Sequence, residues 1–525
     1  MLTKSDLMAW RQCPRMLWLH HHPPEPQTSA SVPVDRRTLD GRLVGEYARR
    51  DIGEYLWPNT SGDPASDAAA ALAELTATAM LPAVEMPMVR DGLYARADAL
   101  LPEAAGYVLR ETKASTFPLK PDKATPSSPD EHHLDDVAVQ AWVLEGAGLP
   151  LARAELNLLD NQWRYPGAGD YRGLFRQLDV TDAVQQRMHA VPQWLRLARD
   201  VIDGDMPDVR MGNQCTHPHP CPYASLCQRL EPPGPEHPLS LLPDTAGKSL
   251  ARKLAAKGYT SLLEPRPGEL VGAQAALYRR IQQAHRTGRP ILAPGADTFM
   301  QRLTYPRYYF DFEGIDLPVP RWVGLRPYEQ VPFQWSCHIE RAPGVFEHRA
   351  FLDLSGHDPS EPCIEEMLHA IDLEDGGPIL VYYATYERGR IVELAKRHPA
   401  FEDRLKRLAA RLVDLHPVVK EHFYHPAMEG SFSIKKVLPV IAPDLNYREL
   451  DEVQDGTGAQ VAYLQSCFDA ELTPRRKAEL RRNLLAYCEQ DTWAMVEIGY
   501  FLEGKGRLLI HFQNWAIWGR VHVEI

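Results

Sequence analysis

Leu93-Tyr94-Ala95-Arg96-Ala97-Asp98-Ala99-Leu100, followed by Tyr107-Val108-Leu109-Arg110-Glu111-Thr112-Lys113, decides the fold of the first half of this chain. Apolar residues alternate along Val84–Val89 and Leu93–Leu100 on either side of Asp91-Gly92, which predicts a tight hairpin. Tyr107–Thr112 continues as a third strand. Glu111 and Lys113 are two apart, so they share one face of it. Carboxylates from neighbouring strands, Asp98 and Glu111, can hold a divalent metal, and Lys113 can orient water or steady developing negative charge. Gly41-Arg42-Leu43-Val44-Gly45-Glu46 precedes the hairpin and adds Glu46 as a candidate ligand. Gln140 follows, on a helix predicted over Leu134–Glu145 and ended by Gly146.

Outward from this centre, helices are expected at Ser5–Gln12 (capped by Thr3 or Ser5), from Pro14 to Leu19, and at Asp67–Met80. Lys120–Glu131 reads as a loop. Cys215, Cys221 and Cys227 are evenly spaced in a segment broken by Pro218, Pro220 and Pro222, and Cys13 stands far away in Cys13-Pro14-Arg15. Four thiolates suit a [4Fe–4S] cluster or tetrahedral Zn²⁺, and His217 and His219 keep zinc open. Cys337, Cys363, Cys467 and Cys488 read as single buried thiols.

Glu231-Pro232-Pro233-Gly234-Pro235 opens a Pro-rich linker, and residues 240–300 carry short helical patterns at Gly247–Lys257 and Glu269–Thr287. The chain therefore divides into 1–230, a linker and helical connector over 231–304, and 305–525. The last part has strand patterns at Tyr308–Phe312, Phe333–Glu340 and Glu347–Leu352, a helix at Pro359–Ile371, a strand at Pro378–Tyr383, and a final helix near Arg475–Phe501. Asp311 and Glu313 share one strand face, and Tyr487 and Asp491 share one helix face. Three carboxylates and a phenol thus converge as a two-metal site for Mg²⁺ or Mn²⁺ requires.

At 525 residues, 44% hydrophobic and 24% charged, the composition is that of a globular protein of two to four domains. No apolar run is long enough to span a bilayer, and Met1–Asp6 lacks the features of a signal peptide, so a cytoplasmic location is expected. The net charge of −12 argues against nonspecific coating of DNA, but metal ions held by carboxylates recruit phosphate themselves.

With these motifs in place, residues 1–230 resemble the RecB-type PD-(D/E)XK nucleases, particularly the CRISPR-associated exonucleases with an iron–sulfur cluster. The resemblance implies a restriction-endonuclease-like α/β fold, metal ligation by Asp98 and Glu111, catalytic support from Lys113, and a structural or DNA-contacting role for Gln140. It also favours the iron–sulfur reading of Cys13, Cys215, Cys221 and Cys227. Gly45 stands where such families carry His, and Leu144 where they carry an aromatic. Residues 305–525 resemble the DEDD exonucleases, an RNase H-like α/β fold, in the subclass whose tyrosine (here Tyr487) helps orient the attacking water. The resemblance implies a further carboxylate ligand after the fourth strand, Glu387, with Asp414 as an alternative; Glu387 and Tyr383 stand where that pattern has Asp and Asn. Gly430–Leu438 resembles the segment on the substrate side, with Lys435 as a binding residue. The nearly full length resembles a group of bacterial proteins joining both modules. The expected function is metal-dependent cleavage of nucleic acid, DNA ends or single strands before RNA, in repair or defence. The alternatives are a nucleic-acid-binding or scaffold protein with a degenerate second site, and an RNA-processing exonuclease.

Overall fold

The computed structural model describes residues 1–24, 36–78, 81–120, 126–445, 450 and 452–505. It is a mixed α/β protein of two compact units. Unit 1 comprises Met1–Pro233 with Asp316–Glu329, and unit 2 comprises Gly234–Ile315 with the chain from Gln330 onward.

Unit 1 begins with β1 (Leu2–Thr3), α1 (Lys4–Gln12) and α2 (Pro14–His21). Thr3 is the N-cap: its side chain accepts from the Asp6 N–H, and Asp6 reciprocates. Then come α3 (Arg36–Ile52), α4 (Pro64–Ala77), β2 (Ala83–Arg90), β3 (Leu93–Glu103) and β4 (Gly106–Thr116). Met80 of the expected Asp67–Met80 helix and residues 121–125 of the expected loop lie outside the described residues. After α5 (Glu131–Gly146) the chain forms β5 (Leu151–Leu159), β6 (Phe175–Asp179), α6 (Thr181–Met188), α7 (Val191–Asp203) and α8 (Ala224–Leu230). The six-stranded sheet runs β1-β3-β4-β5-β6, with β2 paired to β3. Leu134, Val137, Ala138 and Ala141 of α5 pack on the inward Ala95, Ala97 and Leu109 of the hairpin strands. This contact lays α5 against the strands that carry Asp98 and Glu111.

The 231–304 segment, expected as linker and connector, belongs to unit 2 from Gly234 on. It forms α9 (Asp244–Ala255), α10 (Ala275–Thr287), β7 (Ile291–Leu292) and α11 (Ala296–Gln301). Leu250, Tyr278, Ile281 and Met300 share one core with Tyr309, Leu415, Tyr424 and Met495. An amphipathic helix must bury its apolar stripe somewhere, and here it does so in this core.

Unit 2 continues with β8 (Arg307–Asp316), β9 (Gln330–Ala342), β10 (Val345–Leu352), α12 (Ser360–Ala370), β11 (Ile379–Val381), α13 (Ala384–Arg397), α14 (Glu402–Ala410), β12 (Leu412–Asp414), α15 (Leu415–His422) and β13 (Phe423–Tyr424). It ends with α16 (Ile434–Ile441), α17 (Gly456–Phe468) and α18 (Pro474–Leu502). Its main sheet has the order β10-β9-β8-β11-β12; β10 is antiparallel to β9, while β11 is parallel to both β8 and β12. β8 is central and apolar on both faces. Tyr308, Phe310 and Phe312 enter the core with α12, α13 and α14, and Tyr309 enters the opposite core with α18. Period-two alternation therefore puts Asp311 and Glu313 on the α18 face.

Candidate active sites

In unit 1 the antiparallel β3–β4 ladder runs from Ala99↔Arg110 to Glu103↔Gly106, so Asp98 and Glu111 lie just beyond its last pair. The Asp98 carboxylate accepts from the Thr112 N–H at 2.9 Å. Lys113 Nζ donates to Glu111 Oε1 at 2.7 Å and also bonds Asp136, one turn before Gln140 on α5. Gln140 donates from Nε2 to Glu111 Oε2 at 2.8 Å and Asp136 Oδ1 at 3.3 Å. It is fully buried, and its Oε1 has no hydrogen-bond partner. Lys4 of α1 completes the cluster, 2.9 Å from Asp136 and 3.2 Å from Glu111.

Burial and the Glu111 charge push Asp98 up to about 7, against Lys4 and Lys113. Asp136 is driven the other way: burial opposes its charge, yet Lys113 and Lys4 hold it well below the carboxylate range. Sequence reasoning missed both Lys4 and Asp136. The i, i+4 spacing from Asp136 to Gln140 is a usable signal; nothing in the sequence points to Lys4. Glu46 is not drawn into this cluster. It is exposed on α3 and paired with Arg50 one turn on.

Cys13, Cys215, Cys221 and Cys227 line one small cavity with Arg15, Met16 and Tyr223. The Cys221 thiol is pushed up by burial, and the other three thiols add to the shift. Cys13 ends α1 and begins α2, while Gln12 Nε2 donates to the carbonyls of Gln214 (2.8 Å) and His219 (2.7 Å). The four cysteines thus line one cavity where α1 and α2 meet the 210–230 segment; their sulfurs are not among the side-chain groups that lie within 4.8 Å of one another. His217 and His219 are not among the residues lining this cavity.

In unit 2, Asp311, Glu313 and Asp491 each place a carboxylate oxygen within 4.8 Å of the others. They line a cavity of about 330 Å³ with Tyr383, Lys435, Tyr487 and the N-terminus of α17 at Gly456. Burial raises Asp311 well above the carboxylate range, and Asp491, Glu313 and Glu387 raise it further. Burial and Asp491 push Glu313 up to about 8. Three crowded carboxylates are held against both desolvation and mutual repulsion, which is the donor set that fits divalent cations.

Glu387, at the start of α13, is 2% exposed and its Oε2 has no partner. Burial pushes it up to about 8, with Asp414 contributing. Asp414 itself is spent on the backbone, accepting from the N–H groups of Tyr383 (3.1 Å), Ala384 (3.0 Å) and His416 (3.0 Å). That holds Tyr383 at φ +74°, half-exposed and stacked on His416 at 3.9 Å between ring centroids. Lys435 donates to the Gln454 carbonyl at 2.9 Å and lies 5.4 Å from the Tyr487 ring. Sequence reasoning missed α17, whose Gln460 donates to the Gly314 carbonyl at 2.9 Å beside Glu313.

Residues 308–433 match a family model described as a domain of unknown function (DUF2779). The chain is also similar to an uncharacterised protein of Ureaplasma parvum serovar 3, 26% identical over 222 residues, 38% of this chain. It spans about a third of that relative's length. A solved structure titled as the crystal structure of SSO0001 aligns at 14% identity over 43% of this chain and 85% of that one, with a TM-score of 0.25. Among the described residues, no helix is long and apolar enough to cross a membrane.

Proposed function

We propose that the protein is a metal-dependent nuclease with two phosphodiester-cleaving centres: a PD-(D/E)XK site of RecB type in unit 1 and a DEDD, RNase H-like site in unit 2. The observation that carries this reading is the convergence of Asp311, Glu313 and Asp491 within 4.8 Å. The strand order of the main sheet of unit 2, with its first strand, β8, central, supports it. Glu387 is close enough to add to the upward shifts of Asp311 and Glu313, although it is not among the residues that line their cavity.

In unit 2, Asp311, Glu313, Glu387 and Asp491 would hold Mg²⁺ or Mn²⁺, which supplies neutralisation of phosphate charge and an acidified water. Tyr487 orients the nucleophile, Lys435 meets the backbone charge of the substrate strand, and the half-exposed ring of Tyr383 offers a base a face to stack on. Stacking requires an unpaired base, so single strands and frayed ends are the preferred substrates. In unit 1, Asp98 and Glu111 would hold the metal, Lys113 bears on the nucleophile, and Gln140 with Asp136 fixes Glu111 and Lys113 in place. Cys13, Cys215, Cys221 and Cys227 hold a [4Fe–4S] cluster in this reading, with zinc as the alternative occupant.

The test is degradation of end-labelled single-stranded DNA, duplex DNA and RNA with Mg²⁺ or Mn²⁺, by wild type, Lys113→Met, Asp311→Asn and the double variant. Each single variant should lose one of two separable activities by about 100-fold or more, the scale on which catalytic electrostatic groups act. Metal-dependent cleavage that survives in the double variant refutes the assignment.

A further inference from the structure

β9 and β10 pair with His338 directly opposite His348. Cross-strand partners share a sheet face at a Cβ separation of about 5 Å, and these two rings stack at 4.4 Å between centroids. α18 crosses this face and brings Glu489, Thr492 and Trp493 to it. One ligating atom from each of His338, His348 and Glu489 lies within 4.8 Å of the others, and His348 Nδ1 is 3.8 Å from Glu489 Oε1.

We propose that His338, His348 and Glu489 form a binding site for a first-row divalent transition metal, with zinc the best match to two imidazoles, one carboxylate and an open position. The set belongs to borderline-soft ions; magnesium, which prefers all-oxygen sites, is poorly served by it. The two-metal carboxylate centre lies elsewhere on the same helix. Glu489 and Asp491 are two residues apart, about 200° round α18.

A hydroxyl relay holds both rings for this task. His338 Nδ1 is 2.8 Å from Thr492 Oγ1, and His348 Nε2 is 2.9 Å from Ser336 Oγ. The two hydroxyls are 2.8 Å apart, and Thr492 Oγ1 is 3.0 Å from the Glu489 carbonyl. One proton assignment satisfies every link: each ring donates outward to its hydroxyl, Ser336 donates to Thr492, and Thr492 donates to the carbonyl. His338 Nε2 and His348 Nδ1 then carry the lone pairs. Outward donation of this kind fixes the tautomer and orientation of metal-bound imidazoles. Burial pushes His348 down to about 4 and lowers His338 as well. The bound ion would tie α18, which carries Tyr487 and Asp491, to the outer two strands of the sheet.

The decisive measurement is zinc uptake by the full-length protein, stripped of labile metal with EDTA, its cysteine centre left as isolated, and titrated against a chromophoric chelator in excess Mg²⁺. Zinc taken up by the cysteines or the carboxylate centre is common to all variants and cancels. Wild type should bind one more zinc ion than Glu489→Gln or His348→Asn, or bind it at least tenfold more tightly. Thr492→Val should weaken that ion by about 10–100-fold, as loss of an outer-shell partner does. Zinc should also raise the melting temperature of wild type by more than that of Glu489→Gln, an isosteric change at a part-exposed residue. Equal stoichiometry and affinity across wild type, Glu489→Gln and His348→Asn would overturn the proposal. None of these readouts depends on nuclease activity.

Discussion

Glu387→Gln should make the metal-free protein more stable, and by an amount that depends on pH. The native carboxyl is pushed from 4.5 to about 8 by burial, then by Asp414, against an opposing backbone N–H. A rise of about 3.5 at 1.36 kcal/mol per unit of pKa sets a ceiling of about 5 kcal/mol. Because Asp311 and Glu313 compete for the same protons, about 2–5 kcal/mol is expected. The sign follows from linkage. The folded state binds the proton more tightly than the unfolded chain, so the stability it confers is complete below about pH 4.5 and is lost as pH climbs to about 8. The glutamine, of equal size and uncharged, escapes that loss. At pH 8.5 with EDTA, unit 2 of Glu387→Gln should melt about 5–15 °C above wild type, at about 2–4 °C per kcal/mol, and the gap should close towards pH 5. Mn²⁺ should reverse the order by stabilising wild type more. A variant that melts with wild type at pH 8.5, or a gap unchanged between pH 5 and 8.5, would refute the reasoning.

Lys4→Met takes one of two cations from the buried Glu111 and Asp136, and should destabilise unit 1 by up to about 3 kcal/mol in denaturant titrations, with partial recovery in Mn²⁺. Gly106→Ala places a Cβ 2.3 Å from the Pro150 carbonyl oxygen at φ +139°, and should cost unit 1 about 2–4 kcal/mol in the same titration. Anaerobically purified protein should be brown with iron and sulfide present, and Cys221→Ala should be colourless and melt unit 1 early, because cluster binding is coupled to folding. Stoichiometric zinc without iron would replace the cluster by a zinc centre while keeping the four-cysteine set.

Local periodicity was readable where it met a turn or a carboxylate. The Asp91-Gly92 hairpin stands at Ala83–Glu103, and the alternation of Tyr308 to Glu313 separates one core from the face that carries Asp311 and Glu313. β5 alternates Arg153, Glu155 and Asn157 with Ala154, Leu156 and Leu158 but buries Glu155 and Asn157 as well, and β6 is only five residues long, so neither has the profile of an ordinary half-buried strand. The helices of 234–304 were recognised as helices, but the core they join is set by residues more than a hundred positions away. Long-range partners account for the remaining gaps in the sites. Lys4 meets Glu111 across 107 residues. The His338–His348 pair exists only in one strand register, which a single sequence does not print. Glu46 fell in a plausible motif but turned one helical turn along its own surface, to Arg50.

Residues 316–329 belong to unit 1, although the strands on either side of them, β8 and β9, are neighbours in the sheet of unit 2. Val319 sits in a small apolar cluster with Val44, Leu159 and Phe175, and the Tyr328 hydroxyl donates to the Ala114 carbonyl at 2.5 Å. The polypeptide therefore passes between the units three times, and no single scission separates them. A gene truncated after codon 233 encodes a first unit with one wall missing, and a second unit expressed alone carries an apolar loop with nothing to cover it.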